Sequence, residues 1–97
     1  MTTAETLLQR LLSSQIKLDL LFLFHADPHL SDDLEGLAHR IRRTPREIEA
    51  DLEDLVELGI LKKMRIDNRD VIVLDSARDE EIQRIIAKHL AQGQNSG

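Results

Sequence analysis

The sequence predicts a mainly α-helical domain carrying one small β-hairpin, and three observations predict it. Residues 44–61, TPREIEADLEDLVELGIL, hold a full set of helix start and stop signals. Thr44 can cap, Pro45 suits the first helical position, Glu47 stands at capping-box spacing and Gly59 follows the last turn. Directly behind, ILKKMRI and VIVL flank DNRD, the pattern of two strands about a tight turn. Apolar residues elsewhere recur at helical spacing.

Ninety-seven residues suffice for one core. With 41% hydrophobic and 32% charged residues, the chain reads as globular rather than disordered. Phe22 and Phe24 are its only aromatics, so the core is Leu/Ile-rich and single-stranded nucleic acid finds no stacking platform. Without cysteine there is no disulfide, thiolate metal site or cysteine nucleophile, and a reducing compartment is permitted. Lys17 and Asp19 interrupt the longest apolar run, which is too short for a bilayer, and no basic leader precedes it. The expectation is a cytoplasmic protein without membrane association. A net charge of −5 argues against coating nucleic acid through an overall field, so any such binding rests on local charge.

Taken in order, residues 2–12 read as a helix, with Thr2 and Glu5 at capping-box spacing and Leu7, Leu8, Leu11 and Leu12 on one face. Ser14 can cap a second helix over 14–26. Its later half is apolar nearly all round, which implies a central place in the core, and Asp27-Pro28 ends it. After a short extended piece at His29-Leu30, Ser31 caps a third helix over 31–42, with Leu34, Leu37, Ala38 and Ile41 inward. Arg42-Arg43 leads into the fourth helix over 44–58, where Ile48, Leu52, Leu55 and Val56 face the core. The hairpin occupies 60–74 and turns through Asp67-Asn68-Arg69-Asp70. Ser76 caps a last helix over 76–91, with Asp79 at its third position and Ile82, Ile85, Ile86 and Leu90 as its stripe. One domain over 1–92 results, and 93–97 reads as a flexible tail.

This order resembles the winged helix-turn-helix domain of compact prokaryotic regulators, notably the arsenical-repressor-like and multiple-antibiotic-resistance-regulator-like families. Leu34-x-x-Leu37-Ala38, Thr44-Pro45-x-x-Ile48 and Leu52-x-x-Leu55-x-x-x-Gly59-Ile60-Leu61 carry the resemblance. These positions determine fold more than function. The resemblance implies a fourth helix that enters the major groove, a wing on the backbone or minor groove, and terminal helices that form a dimer.

The charge pattern bears on that expectation. Residues 39–46 hold Arg40, Arg42, Arg43 and Arg46 and no acid, and the hairpin holds Lys62, Lys63, Arg65 and Arg69 against Asp67 and Asp70. Residues 44–58 between them balance at −5, six acids against Arg46. Helical projection places Arg46, Ala50, Glu53 and Glu57 outward, and a recognition helix reads bases mainly through its N-terminal turns. There Arg46 can read guanine, Ala50 can touch a thymine methyl, and Glu47 or Glu49 can accept from cytosine. The expected duplex contacts are Arg42, Arg43, Thr44, Arg46, Glu47, Ala50, Lys63, Arg65, Asn68 and Arg69. The plainer reading makes Glu47 a cap and the remaining acids a solvated face. An alternative function follows from the acids themselves: Glu53, Asp54 and Glu57 docking a basic protein surface, with no DNA bound.

Other chemistry is discounted. Pro28 breaks any helix shared by His25 and His29, and His39 and His89 read as surface positions, so no metal and no cofactor is expected. No phosphate loop or grouped carboxylates point to an enzyme. Four leucines on the first helix are worth on the order of 6–12 kcal/mol when buried. They pack on the last helix within one chain or across a homodimer, whose expected interface is Leu7, Leu8, Leu11, Leu12, Ile82, Ile85, Ile86 and Leu90.

Overall fold

Polar caps set the helix boundaries in the computed structural model, which describes residues 3–95. Thr3 caps α1 (Ala4–Leu12) and Ser14 caps α2 (Gln15–Ala26), each accepting the backbone N–H three residues on at 3.1 Å. The expected Thr2 cap lies outside the described residues. Ser31 caps no helix: Ser31–Asp32 form the short strand β1, and Asp33 caps α3 (Leu34–Arg40) by accepting the Gly36 N–H at 2.8 Å. The reason is competition for backbone groups, since pairing Ser31 and Asp32 with a strand leaves Asp33 to satisfy the helix end. The capping box expected on α4 (Pro45–Glu57) is present. Thr44 Oγ1 accepts the Glu47 N–H at 3.3 Å, and Glu47 accepts the Thr44 N–H at 3.1 Å.

The wing consists of β2 (Leu61–Ile66) and β3 (Arg69–Leu74). Its turn is shorter than expected. Asp67 and Asn68 alone make it, at φ 50° and 64°, which is type I′ geometry, and Arg69 and Asp70 join the strand. α5 (Ser76–Asn95) is capped by Asp75, whose carboxylate accepts the Arg78 N–H at 3.1 Å, and Ser76 is its first residue. The helix takes in 93–95 of the expected tail; 96 and 97 lie outside the described residues.

The sheet order is β1-β3-β2, antiparallel throughout, with Ser31 opposite Val73 and Leu61 opposite Leu74. α4 is the hub: Ile48, Leu52 and Leu55 are buried against α2, α3 and the base of the wing. α2 buries Leu20 and Phe24 in this core but leaves Phe22 73% exposed. The central place expected of α2 is therefore only partly met: Leu21 and Leu23 pack partly buried beside Leu20 and Phe24, while Phe22 faces solvent. α1 packs on α5 within the chain, which puts Leu7, Leu11 and Ile82 in the same core.

Candidate nucleic-acid interface

The segment joining α3 to α4 is a Schellman turn. Arg42 N–H donates to His39 O at 3.1 Å and Arg43 N–H to Ala38 O at 2.9 Å, and Arg42 takes the left-handed position at φ 58° where glycine is usual. The turn sends α4 off so that Arg46, Glu49 and Ala50 are exposed on its first turns. Thr44 and Glu47 are occupied by the cap. Thr44 Oγ1 donates to Glu47 at 3.0 Å, and Arg43 Nη1 donates to the other Glu47 oxygen at 3.4 Å. The Thr44 N–H and hydroxyl, then Arg43, hold the Glu47 carboxyl below its usual range. Of the two glutamates expected as cytosine readers, Glu49 is the one left open to solvent without an ion pair among the described residues.

The acids farther along α4 are matched from outside the helix. Lys17 on α2, almost fully buried, donates to Asp54 at 2.8 Å, to the Ser13 hydroxyl at 3.1 Å and to the Arg10 carbonyl at 3.1 Å; Asp51 lies 3.9 Å away. Arg10 on α1 reaches Asp54 and Glu57, each at 3.9 Å, and Lys63 on β2 pairs with Glu53. Lys17 is the main cause that lowers the Asp54 carboxyl. Five of the six acids in 44–58 thus stand within ion-pair distance of a cation. The acidity that looks hostile to DNA in the sequence serves mostly to fasten α1, α2 and the wing onto α4.

The wing cations are engaged as well. Arg65 pairs with Asp70 across the hairpin at 3.1 Å, and Arg69 Nη2 donates to Asp33 at 2.8 Å. Arg40 donates to Asp32 at 2.9 Å. Asp32 lies over Gly36, where a Cβ would collide with its carboxylate, so that glycine admits the Arg40 bridge. Among the described residues, Arg42, Arg46 and Lys62 are the cations of the helix-turn-helix and wing without an ion pair. Arg42 and Arg40 line a shallow depression of about 430 Å³ with Asp19, Phe22 and Leu23 of α2, so Arg42 borders α2. Asn68 stands exposed at the wing tip.

Several contributors escape sequence reasoning. Lys17 figures there only as a break in an apolar run. His25 Nε2 lies 3.0 Å from both oxygens of buried Asp79, which also accepts Gln83 Nε2 at 2.7 Å, so α2 is tied to the first turn of α5. No group of three or more metal-ligating side chains comes together among the described residues. Of the apolar residues expected at a dimer interface, Leu7, Leu11 and Ile82 are buried in the chain's own core, Leu8, Ile85 and Ile86 are half-buried, and Leu12 and Leu90 are exposed.

No family model and no curated protein matches this chain. Among solved structures it is similar to the AntR antimony-specific transcriptional repressor, at 18% identity and a TM-score of 0.59, over 94% of this chain and 79% of that one. The likeness shows the fold: the chain is a winged helix-turn-helix, mainly helical with a small antiparallel sheet.

Proposed function

We propose that this chain is a sequence-specific double-stranded DNA-binding regulator of transcription that works as a homodimer in the cytoplasm. The structural neighbour is a transcriptional repressor of the same fold, which supports DNA as the partner class. The observation that carries the reading is the local charge arrangement. Arg46 and Ala50 are exposed at the N-terminal end of α4, and the four acids after Ala50 stand within ion-pair distance of Lys17, Arg10 or Lys63. A helix whose far half is matched internally can present its first turns to a major groove without repelling the phosphates. The same pairing weighs against a protein-docking role for Glu53, Asp54 and Glu57, since each already has a cationic partner.

In this reading Arg46 reads a base edge, Ala50 lies against a base, and Arg42 and Lys62 supply unshared positive charge. Leu12 and Leu90, exposed on α1 and α5, belong to the dimer contact. No described helix is long and apolar enough to cross a membrane. Selection from a random duplex library at low salt is the deciding experiment. A recovered consensus whose preference relaxes at one position in Arg46→Ala, by about 1–3 kcal/mol, is the expected result. A library that shows no affinity at low salt overturns the reading.

A further inference from the structure

Asp33 does two jobs with two oxygens. Oδ1 accepts the Gly36 N–H at 2.8 Å and caps α3; Oδ2 accepts Arg69 Nη2 at 2.8 Å and ties α3 to the outer end of the wing. Sheet register brings the two together, because Asp32 pairs with Ile72 of β3, the strand that begins with Arg69 directly after the turn. The other wing pairs differ in kind. Arg65 and Asp70 belong to one hairpin and move together, and Lys63 and Glu53 join the wing to α4. Arg69–Asp33 is the ion pair, among the described residues, that joins the wing to the first helix of the helix-turn-helix.

We propose that this pair is an autoinhibitory clasp that duplex DNA opens by ion-pair exchange: a backbone phosphate oxygen replaces the Asp33 carboxylate on the Arg69 guanidinium. The proposal rests on the DNA-binding reading. The exchange is easy on physical grounds. The two side chains are 62% and 36% exposed, and an ion pair in that setting is weak. A phosphate offers the guanidinium the same paired acceptor geometry as a carboxylate. Release of Arg69 leaves the Gly36 bond on the other oxygen intact, so α3 keeps its cap while the Arg69 side chain moves. Arg69 is therefore held on Asp33 in the unbound protein and turns onto the backbone when a duplex arrives.

The test is a double-mutant cycle in duplex affinity, using DNA recovered from a random library by the wild-type protein. Asp33→Asn removes the charge and retains a strong capping residue, and Asp33→Ser does the same with a different side chain. Arg69→Gln removes the other partner. Thermal melts establish that each variant is folded. The expected result is that Asp33→Asn and Asp33→Ser bind about two- to fivefold more tightly than wild type, and that this gain vanishes in the Arg69→Gln background. A gain that persists without Arg69 marks general removal of an acid and overturns the exchange. A loss of affinity in Asp33→Asn overturns it too, by making Asp33 a residue that positions the wing for DNA. Wild-type binding with no effect of Asp33→Asn sinks the clasp alone; no wild-type binding to any duplex sinks the DNA reading and the clasp with it.

Discussion

Lys17 sits out of water with its ammonium bonded to a carbonyl, a hydroxyl and a carboxylate, and this makes the acidity of α4 tolerable. Lys17→Met keeps the stem and deletes the charge, leaving Asp54 with only the distant Arg10. Urea unfolding at neutral pH should show a loss of about 1.5–3 kcal/mol, the range for hydrogen bonds to a charged group. Because Lys17 lowers the Asp54 carboxyl, that part of the stability is complete above about pH 4, the ordinary aspartate value. It is lost as pH falls through the lowered value. The gap between variant and wild type should narrow in acid; a gap constant down to pH 2 would show that Asp54 is not the partner that matters. Arg42 makes the opposite case, a charged residue held in a backbone region that suits glycine. Arg42→Gly should raise stability by about 0.5–1 kcal/mol, the left-handed penalty less the freedom that glycine adds to the unfolded chain. Duplex affinity should fall in the same variant. A melt and a titration that move together would remove Arg42 from the phosphate contacts.

Two helices of the fold end in the same way. α3 closes with Arg42 in the left-handed position, and α4 closes with Gly59 at φ 85°, where Ile60 N–H donates to Leu55 O at 3.2 Å. The second turn was legible in the sequence because glycine announces it; the first was not, because arginine gives no sign of a positive φ. The wing turn shows the same limit. Asp-Asn was a fair turn signal, but its length is fixed by strand register, which pairs Ile66 with Arg69 and leaves two residues between them. Asn68→Gly should stabilise the hairpin by about 0.5–1 kcal/mol, since type I′ turns favour glycine at that position. If Asn68 also touches DNA, the same change weakens binding, so thermal melts and duplex titrations should move in opposite directions. A variant that gains on both counts takes Asn68 out of the interface.

At the scale of the molecule, α1 and α5 bury Leu7, Leu11 and Ile82 internally, so the proposed dimer has for its contact only what they leave outside. Leu12 at 57% and Leu90 at 49% exposure are the most exposed large apolar residues of these helices among the described residues, with Leu8, Ile85 and Ile86 half-buried. Sedimentation of the wild type should report a dimer, and Leu12→Glu with Leu90→Glu should return it to monomer with the melting curve little changed. An unchanged sedimentation coefficient in the folded double variant would place the contact elsewhere. Leu7→Glu, by contrast, should unfold the chain, because it puts a charge into the core.

The sequence by itself determined the kinds of element, their order and most of their ends. Caps, proline, apolar period and turn residues act over three or four positions, and the chain carries them plainly in Ser14, Thr44-Pro45, Gly59 and Ile48-Leu52-Leu55. It also located the two basic stretches. What it could not decide was which charge meets which. Lys17 with Asp54, Lys63 with Glu53 and Arg69 with Asp33 join residues of different elements, and each depends on how one element is set against another. Formal charge summed along a helix takes no account of cations delivered from elsewhere. Tertiary structure therefore decided whether α4 is an acidic surface or a helix with its acids spoken for.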